Sequence, residues 1–237
     1  MLRTTLASAL LLTVTILVAA PKPKAKPATP KVDSKFVHIK NFAPDKKIVY
    51  KTVKASNPKS QSLEMHIFYP KDHTPADTRP AIVFFYGGGW MGGSAGQFYA
   101  HARYFANRGF VCVTPYYRTI NRHKIQPDTC AKDARDAIRY VRKNAATFGI
   151  DPAKIVASGG SAGGHVAACT GTVPIPNTED NTISAIPCAM ALFNPVIDTS
   201  KAGYGNNRFE GLDWKLYSPV HHVTKDTPPT IIFHGTN

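Results

Sequence analysis

The chain has 237 residues, 43% of them apolar, with a formal net charge of +14 at pH 7. That length and apolar content can bury one sizeable core, so one domain is expected. The basic excess comes with no nucleic-acid recognition motif and no Cys-x-x-Cys or His-Glu-x-x-His metal spacing, so neither nucleic-acid binding nor a metal site is implied.

Residues 1–20 read as a targeting segment: Arg3, an apolar stretch from Leu6 to Val18, then Ala19-Ala20. Cleavage near Ala20 makes it a signal peptide, retention makes it a signal anchor, and either exports the rest of the chain to the periplasm, the envelope or the medium. Residues 21–35 are rich in proline and lysine and read as an extended linker, either a solvated spacer or a contact with an anionic envelope surface. The globular part is expected over residues 36–237, which hold 23 Lys/Arg against 14 Asp/Glu and so favour anionic surroundings. Four cysteines, Cys112, Cys130, Cys169 and Cys188, allow three pairings in an oxidising compartment or, as buried thiols, none. Cys112, Cys169 and Cys188 fall in expected core elements.

Lys47–Tyr50 and Leu63–Tyr69 alternate apolar with polar, as half-buried antiparallel strands at a sheet margin do, and His66 falls on the polar, exposed phase. Ala81–Tyr86 is continuously apolar, the pattern of a central strand buried on both faces, and runs into Gly87-Gly-Gly-Trp90. A helix is predicted from Gly96 to Asn107, stopped by Gly109, and then a strand over Phe110–Val113. Tyr116 and Tyr117 come next in a loop, where they either line a pocket or pack the loop. Asp133–Arg142 is an amphipathic helix with Ala134, Ala137, Ile138 and Val141 on one side, leaving Asp133 and Asp136 as surface or helix-pairing charges. Asp151-Pro152 reads as a turn.

Ile155-Val-Ala157 is a short buried strand, succeeded by Gly-x-Ser-x-Gly centred on Ser161 and a helix over Gly164–Gly171. Such a motif alone arises by composition in roughly one chain in twelve of this length. Its setting between strand and helix gives it meaning: a serine on a sharp turn needs small neighbours, supplied by Gly159, Gly160, Ala162, Gly163 and Gly164. The turn raises the hydroxyl at a helix N-terminus, where free N–H groups favour negative charge. His165, one turn along the same helix, is a poor partner for Ser161. Ile183–Val196 supplies another core strand with Asp198 just beyond it, a reserve position for a catalytic acid. Residues 201–217 form a loop that flanks the pocket, with Phe209 and Trp214 as contacts; His221 and His222 belong to the surface, and Thr230–His234 is the last strand.

These residues resemble the α/β-hydrolases of the esterase/lipase group related to hormone-sensitive lipase and to secreted acetyl-xylan-esterase-like enzymes. The resemblance rests on Gly87-Gly-Gly-Trp90, Tyr116-Tyr-Arg118, Gly149-Ile-Asp-Pro152, Gly159-Gly-Ser-Ala-Gly-Gly-His165 and Pro228-Pro-Thr-Ile-Ile-Phe-His-Gly-Thr236. It departs at Tyr86, where that group usually has histidine. The fold implied is a mostly parallel central sheet with helices on both faces. By the same resemblance Ser161 is the nucleophile, the N–H groups of Gly88, Gly89 and Ala162 hold the oxyanion, and His165 packs structurally. The triad order of the fold, serine, acid, histidine, puts the acid and the histidine beyond Asn237. The chain is therefore expected to be a C-terminally truncated copy lacking the last strand and helix, and inactive alone.

The activity implied is hydrolysis of short acyl esters, such as acetyl groups on polysaccharide, through an acyl-enzyme and without a cofactor. A peptidase or amidase on the same scaffold, and a non-catalytic binding protein of the same fold, are the alternatives.

Overall fold

In the computed structural model, residues 42–55, 57–58, 61–175 and 182–235 are described. The targeting segment and the linker lie outside them. Seven strands form one sheet: β1 (Lys46–Thr52), β2 (Ser62–Phe68), β3 (Arg79–Phe85), β4 (Val111–Pro115), β5 (Ile150–Gly160), β6 (Ala189–Phe193) and β7 (Thr230–Phe233). Their order is β1-β2-β4-β3-β5-β6-β7. β1/β2 and β2/β4 pair antiparallel and all other neighbours pair parallel. This is the α/β-hydrolase architecture expected of the sequence.

The pleat of β3 explains why its whole run is apolar. Ala81, Val83 and Phe85 enter one core with Ala134, Ile138 and Val166 from α3 (Pro127–Lys143) and α4 (Ala162–Thr172). Ile82 and Phe84 enter a second core on the opposite face, with Ala102 and Ala106 of α1 (Tyr99–Ala106) and Cys112 of β4. Helices thus cover both faces, and a central strand exposes neither side to water.

α3 begins before the predicted Asp133 because Pro127 occupies its first turn, where a missing N–H costs nothing; Arg142 and Lys143 sit favourably at its C-terminal end. The helix expected at Gly96 opens as a 3-10 turn, Ala95–Phe98, capped by the Ser94 hydroxyl, and becomes α-helical only at Tyr99. A one-turn helix, α2 (Ile120–His123), is too short to leave a periodic signal in the sequence. β6 is shorter than the predicted Ile183–Val196, since Asn194 has a positive φ of 36° and Pro195 cannot continue a central ladder. Asp151-Pro152, predicted as a turn, lies within β5, although Asp151 Oδ1 still accepts the Ala153 amide at 2.9 Å.

His66, read as exposed, and Asp133 and Asp136, read as surface or helix-pairing charges, are all buried. His66 is 3% exposed, because β2 is flanked by β1 and β4 and its polar phase lies beneath α1: Nδ1 meets the Tyr99 hydroxyl and Nε2 lies 3.1 Å from Glu64. Asp133, fully buried, accepts from Arg118 Nε and Nη2 at 2.8 and 2.7 Å and lies 3.1 Å from Lys51 Nζ. Asp136 pairs with Lys51 and, at 3.1 Å, with Arg139. These carboxylates tie α3 to β1 and to the loop after β4. All four cysteines are free thiols; Cys130 shares burial with Cys112 and Cys169, whereas Cys188, expected in the core, is exposed just ahead of β6.

Candidate active site

The chain runs from β3 to β4 on one side and then back past β3 to β5 on the other, so the winding reverses here and a crevice opens at the C-terminal strand ends. Phe85 pairs with Gly159 there, so the glycine loop after β3 and the serine turn after β5 emerge side by side. Ser161 has φ 54° and ψ −123°, a conformation that costs about 1–3 kcal/mol and that the surroundings must impose. Its amide donates to Phe193 O at 3.0 Å and its carbonyl accepts from His165 N at 2.9 Å, the first bond of α4.

Close backbone approach explains the glycines. A Cβ on Gly163 would lie 2.1 Å from Phe85 O, and one on Gly87 would lie 2.7 Å from Gly160 O and 3.3 Å from Ser161 Cβ. The glycine loop therefore touches the serine turn directly. Gly88 and Gly89 have φ of 130° and 58°, and among the described residues neither N–H donates to a protein acceptor. Ala162 opens α4, where backbone N–H groups have no acceptor within the helix.

Aromatic packing fixes this loop from behind. Tyr86, where the group has histidine, is fully buried and stacks on Tyr117 with ring centroids 4.3 Å apart. Each hydroxyl donates to the other's carbonyl, at 2.9 Å to Tyr117 O and 2.6 Å to Tyr86 O. Tyr117 therefore packs the loop, and Tyr116 lies beside it with its hydroxyl 3.2 Å from Ser94 Oγ. Trp90, also buried and with φ 60°, donates from its indole to His165 Nδ1 at 3.1 Å. His165 Nε2 donates to Tyr217 O at 2.7 Å, and burial pulls the imidazole pKa down to about 4. Both ring nitrogens are used and the ring stays neutral, so His165 is a packing residue, as the resemblance implied.

Beside Ser161 lies a cleft of about 370 Å³, lined by Asn194, Pro195, Asp198, Tyr204 and His234 among others. Asp198, the reserve acid, thus reaches the same cleft as Ser161. Its carboxylate accepts the Ser200 amide at 2.8 Å, and Ser200, with smaller help from His221 and Ser218, holds its pKa below the usual carboxylate range. Asp198 is charged and orders its own loop; among the described residues no histidine hydrogen-bonds it directly. Ser218 Oγ stands between it and His221, 3.5 Å from Asp198 and 3.0 Å from His221 Nδ1.

The 201–217 loop flanks the cleft through Tyr204, not through Phe209 or Trp214. Phe209 is buried against Trp90, with centroids 5.5 Å apart. Sequence reasoning misses Tyr204 and His234 as cleft residues; Gly203 and Gly205, which let the backbone turn around Tyr204, are the available signal.

The BD-FAE family model matches residues 65–202, the span that carries the glycine loop, the serine turn and Asp198. The chain belongs to this family of α/β-hydrolases. Esterase 2 of Thermogutta terrifontis with propionate bound is 47% identical with a TM-score of 0.73, the alignment covering 81% of this chain and 71% of that one. The same esterase phosphoramylated by tabun is 48% identical with a TM-score of 0.74, over 81% and 71%. Esterase LipC of Mycobacterium tuberculosis is 26% identical over 186 residues, 68% of this chain and 45% of LipC. The probable carboxylic ester hydrolase LipM of that organism is 27% identical over 183 residues, 68% and 41%. The chain spans less than half the length of these curated relatives.

Proposed function

We propose that the protein is a serine carboxylic-ester hydrolase for short acyl esters. The observation that carries this is the strained Ser161, held at the N-terminus of α4 against a glycine loop in which the Gly88 and Gly89 amides have no protein acceptor among the described residues. In this reading Ser161 Oγ attacks the acyl carbonyl carbon and gives up its proton to a general base. The carbonyl π electrons move to oxygen, and the N–H groups of Gly88, Gly89 and Ala162 receive the oxyanion. Collapse expels the protonated alcohol and leaves an acyl group on Ser161, which water then removes.

The relatives support the reaction class and the acyl length. Esterase 2 of Thermogutta terrifontis binds propionate and butyrate and is phosphorylated by paraoxon. Acetyl groups of exported polysaccharide are the substrate we favour, in line with the acetyl-xylan-esterase-like motifs and the targeting segment; the basic 36–237 region and the linker suit an anionic matrix or envelope surface.

The test, on the full-length protein, is paraoxon labelling read by peptide mass, beside turnover of p-nitrophenyl acetate and butyrate and of matched anilides. Ser161 is expected to gain one diethylphosphoryl group, and Ser161→Ala to lose both label and turnover by at least about a thousandfold. A folded protein whose Ser161 stays unlabelled is a binding protein, and anilides turned over faster than esters would make it an amidase.

A further inference from the structure

We infer that Arg208 is a positioning residue of the oxyanion hole, its guanidinium pinning the glycine loop through the Gly89 carbonyl. The inference rests on the ester-hydrolase reading and adds to it a residue 119 positions away in sequence.

Arg208 lies in the 3-10 turn Asn206–Phe209, half-buried, and its Nη1 donates to Gly89 O. The guanidinium carbon stands 5.9 Å from the Trp90 ring centroid, so the side chain lies over the residue next to its acceptor. A Cβ on Gly89 would come within 2.5 Å of the same Nη1, so the contact needs glycine at that place.

The loop geometry shows what the contact does. The peptide between Gly88 and Gly89 carries the Gly89 N–H, and its carbonyl, Gly88 O, is fixed by the Met91 amide at 3.0 Å. The peptide between Gly89 and Trp90 is fixed by Arg208. Both planes around the Gly89 Cα are then tied, although glycine with φ 58° has no side chain to restrict it. Arg208 does not touch the peptides that carry the Gly88 and Gly89 N–H groups; it holds the carbonyl side of Gly89, and so the path by which the loop runs from those amides to the buried Trp90.

The same turn grips Trp90 by packing: Phe209 and Tyr204 lie 5.5 and 6.2 Å from its ring, and Gly205 has room for no side chain against it. Packing alone would need no cation here. Among the described residues Arg208 forms no ion pair with a carboxylate, so its full charge adds to the field at the site where the oxyanion forms.

The experiment compares, in the full-length protein, wild type, Arg208→Met, Arg208→Lys and Ser161→Ala. Readouts are kcat and KM for p-nitrophenyl butyrate, the inhibition constant of an arylboronic acid that forms a tetrahedral anionic adduct on the serine, and thermal midpoints. Expected for R208M is a kcat lower by about ten- to a hundredfold, a KM within about threefold, and boronate inhibition weakened by the same factor as kcat, with R208K recovering part of each. If R208M does not fold, Arg208→Gln is measured in its place and the same pattern is required of it. A kcat unchanged within about threefold, or a loss of kcat with boronate affinity intact, overturns the inference. Wild-type turnover that survives Ser161→Ala overturns the hydrolase reading itself, and the Arg208 role with it.

Discussion

His165 shows how a residue that looks chemical can serve the fold. Its ring sits between the Trp90 indole and the Tyr217 carbonyl with no water access, and its pKa falls to about 4 because the charged form is not solvated there. In the unfolded chain the imidazole binds its proton near about pH 6.5. Between those values the unfolded state holds more protons, so stability is lost as the pH falls from about 6.5 to about 4, by up to about 3 kcal/mol. Urea midpoints at about pH 7.5 and about pH 4.5 should show this decline, and His165→Gln should flatten it. Gly163 makes a harsher prediction: an alanine Cβ meets Phe85 O and Tyr86 O at 2.1 and 2.4 Å, so Gly163→Ala should cost about 3 kcal/mol or more and abolish turnover, read by melting and ester assay. Such glycines are legible as a motif. That Gly163 spaces α4 from the end of β3, while Gly87 spaces the loop from Ser161, is not, because both contacts join segments far apart in the chain.

At the scale of elements, α3 owes its position to charge as well as to its apolar stripe. Ala134, Ile138 and Val141 face the sheet as their spacing foretells. The carboxylates of Asp133 and Asp136 meet Lys51 of β1, and Asp133 also grips Arg118 in the loop that carries Tyr117. Asp133→Ala leaves the Arg118 guanidinium without its carboxylate while Lys51 keeps Asp136, and a loss of about 3 kcal/mol is expected from denaturant unfolding. A periodicity argument puts every charge on the wet face. Here the partners arrive from segments 85 and 15 residues away, and only their convergence makes burial tolerable. His66 repeats the lesson in β2, whose alternation is regular but whose polar face α1 covers.

At the scale of the molecule, β7 is the outermost strand among the described residues. Among the described residues it pairs with β6 alone, and Ile231, Ile232 and Phe233 are 53, 47 and 48% exposed. An apolar edge with unpaired backbone groups invites self-association, so light scattering of the 237-residue chain should rise with concentration, and Ile232→Lys should lower it. The net charge acts at the same scale. Residues 36–237, with 23 basic against 14 acidic groups, should adsorb to a polyuronate matrix at low salt and release as ionic strength approaches about 0.5 M.

Sequence alone determined the order of the strands and the longer helices, the strand-turn-helix around Ser161 and the glycine run after β3, because each is written in local signals: apolar run length, helical spacing and residues without a Cβ. Tertiary structure alone decided that these two turns touch, that Asp198 and Tyr204 share their cleft, that His165 is held neutral, and that Arg208 reaches Gly89. Those are contacts between distant segments, set by how the sheet is wound, and no window of sequence contains both partners.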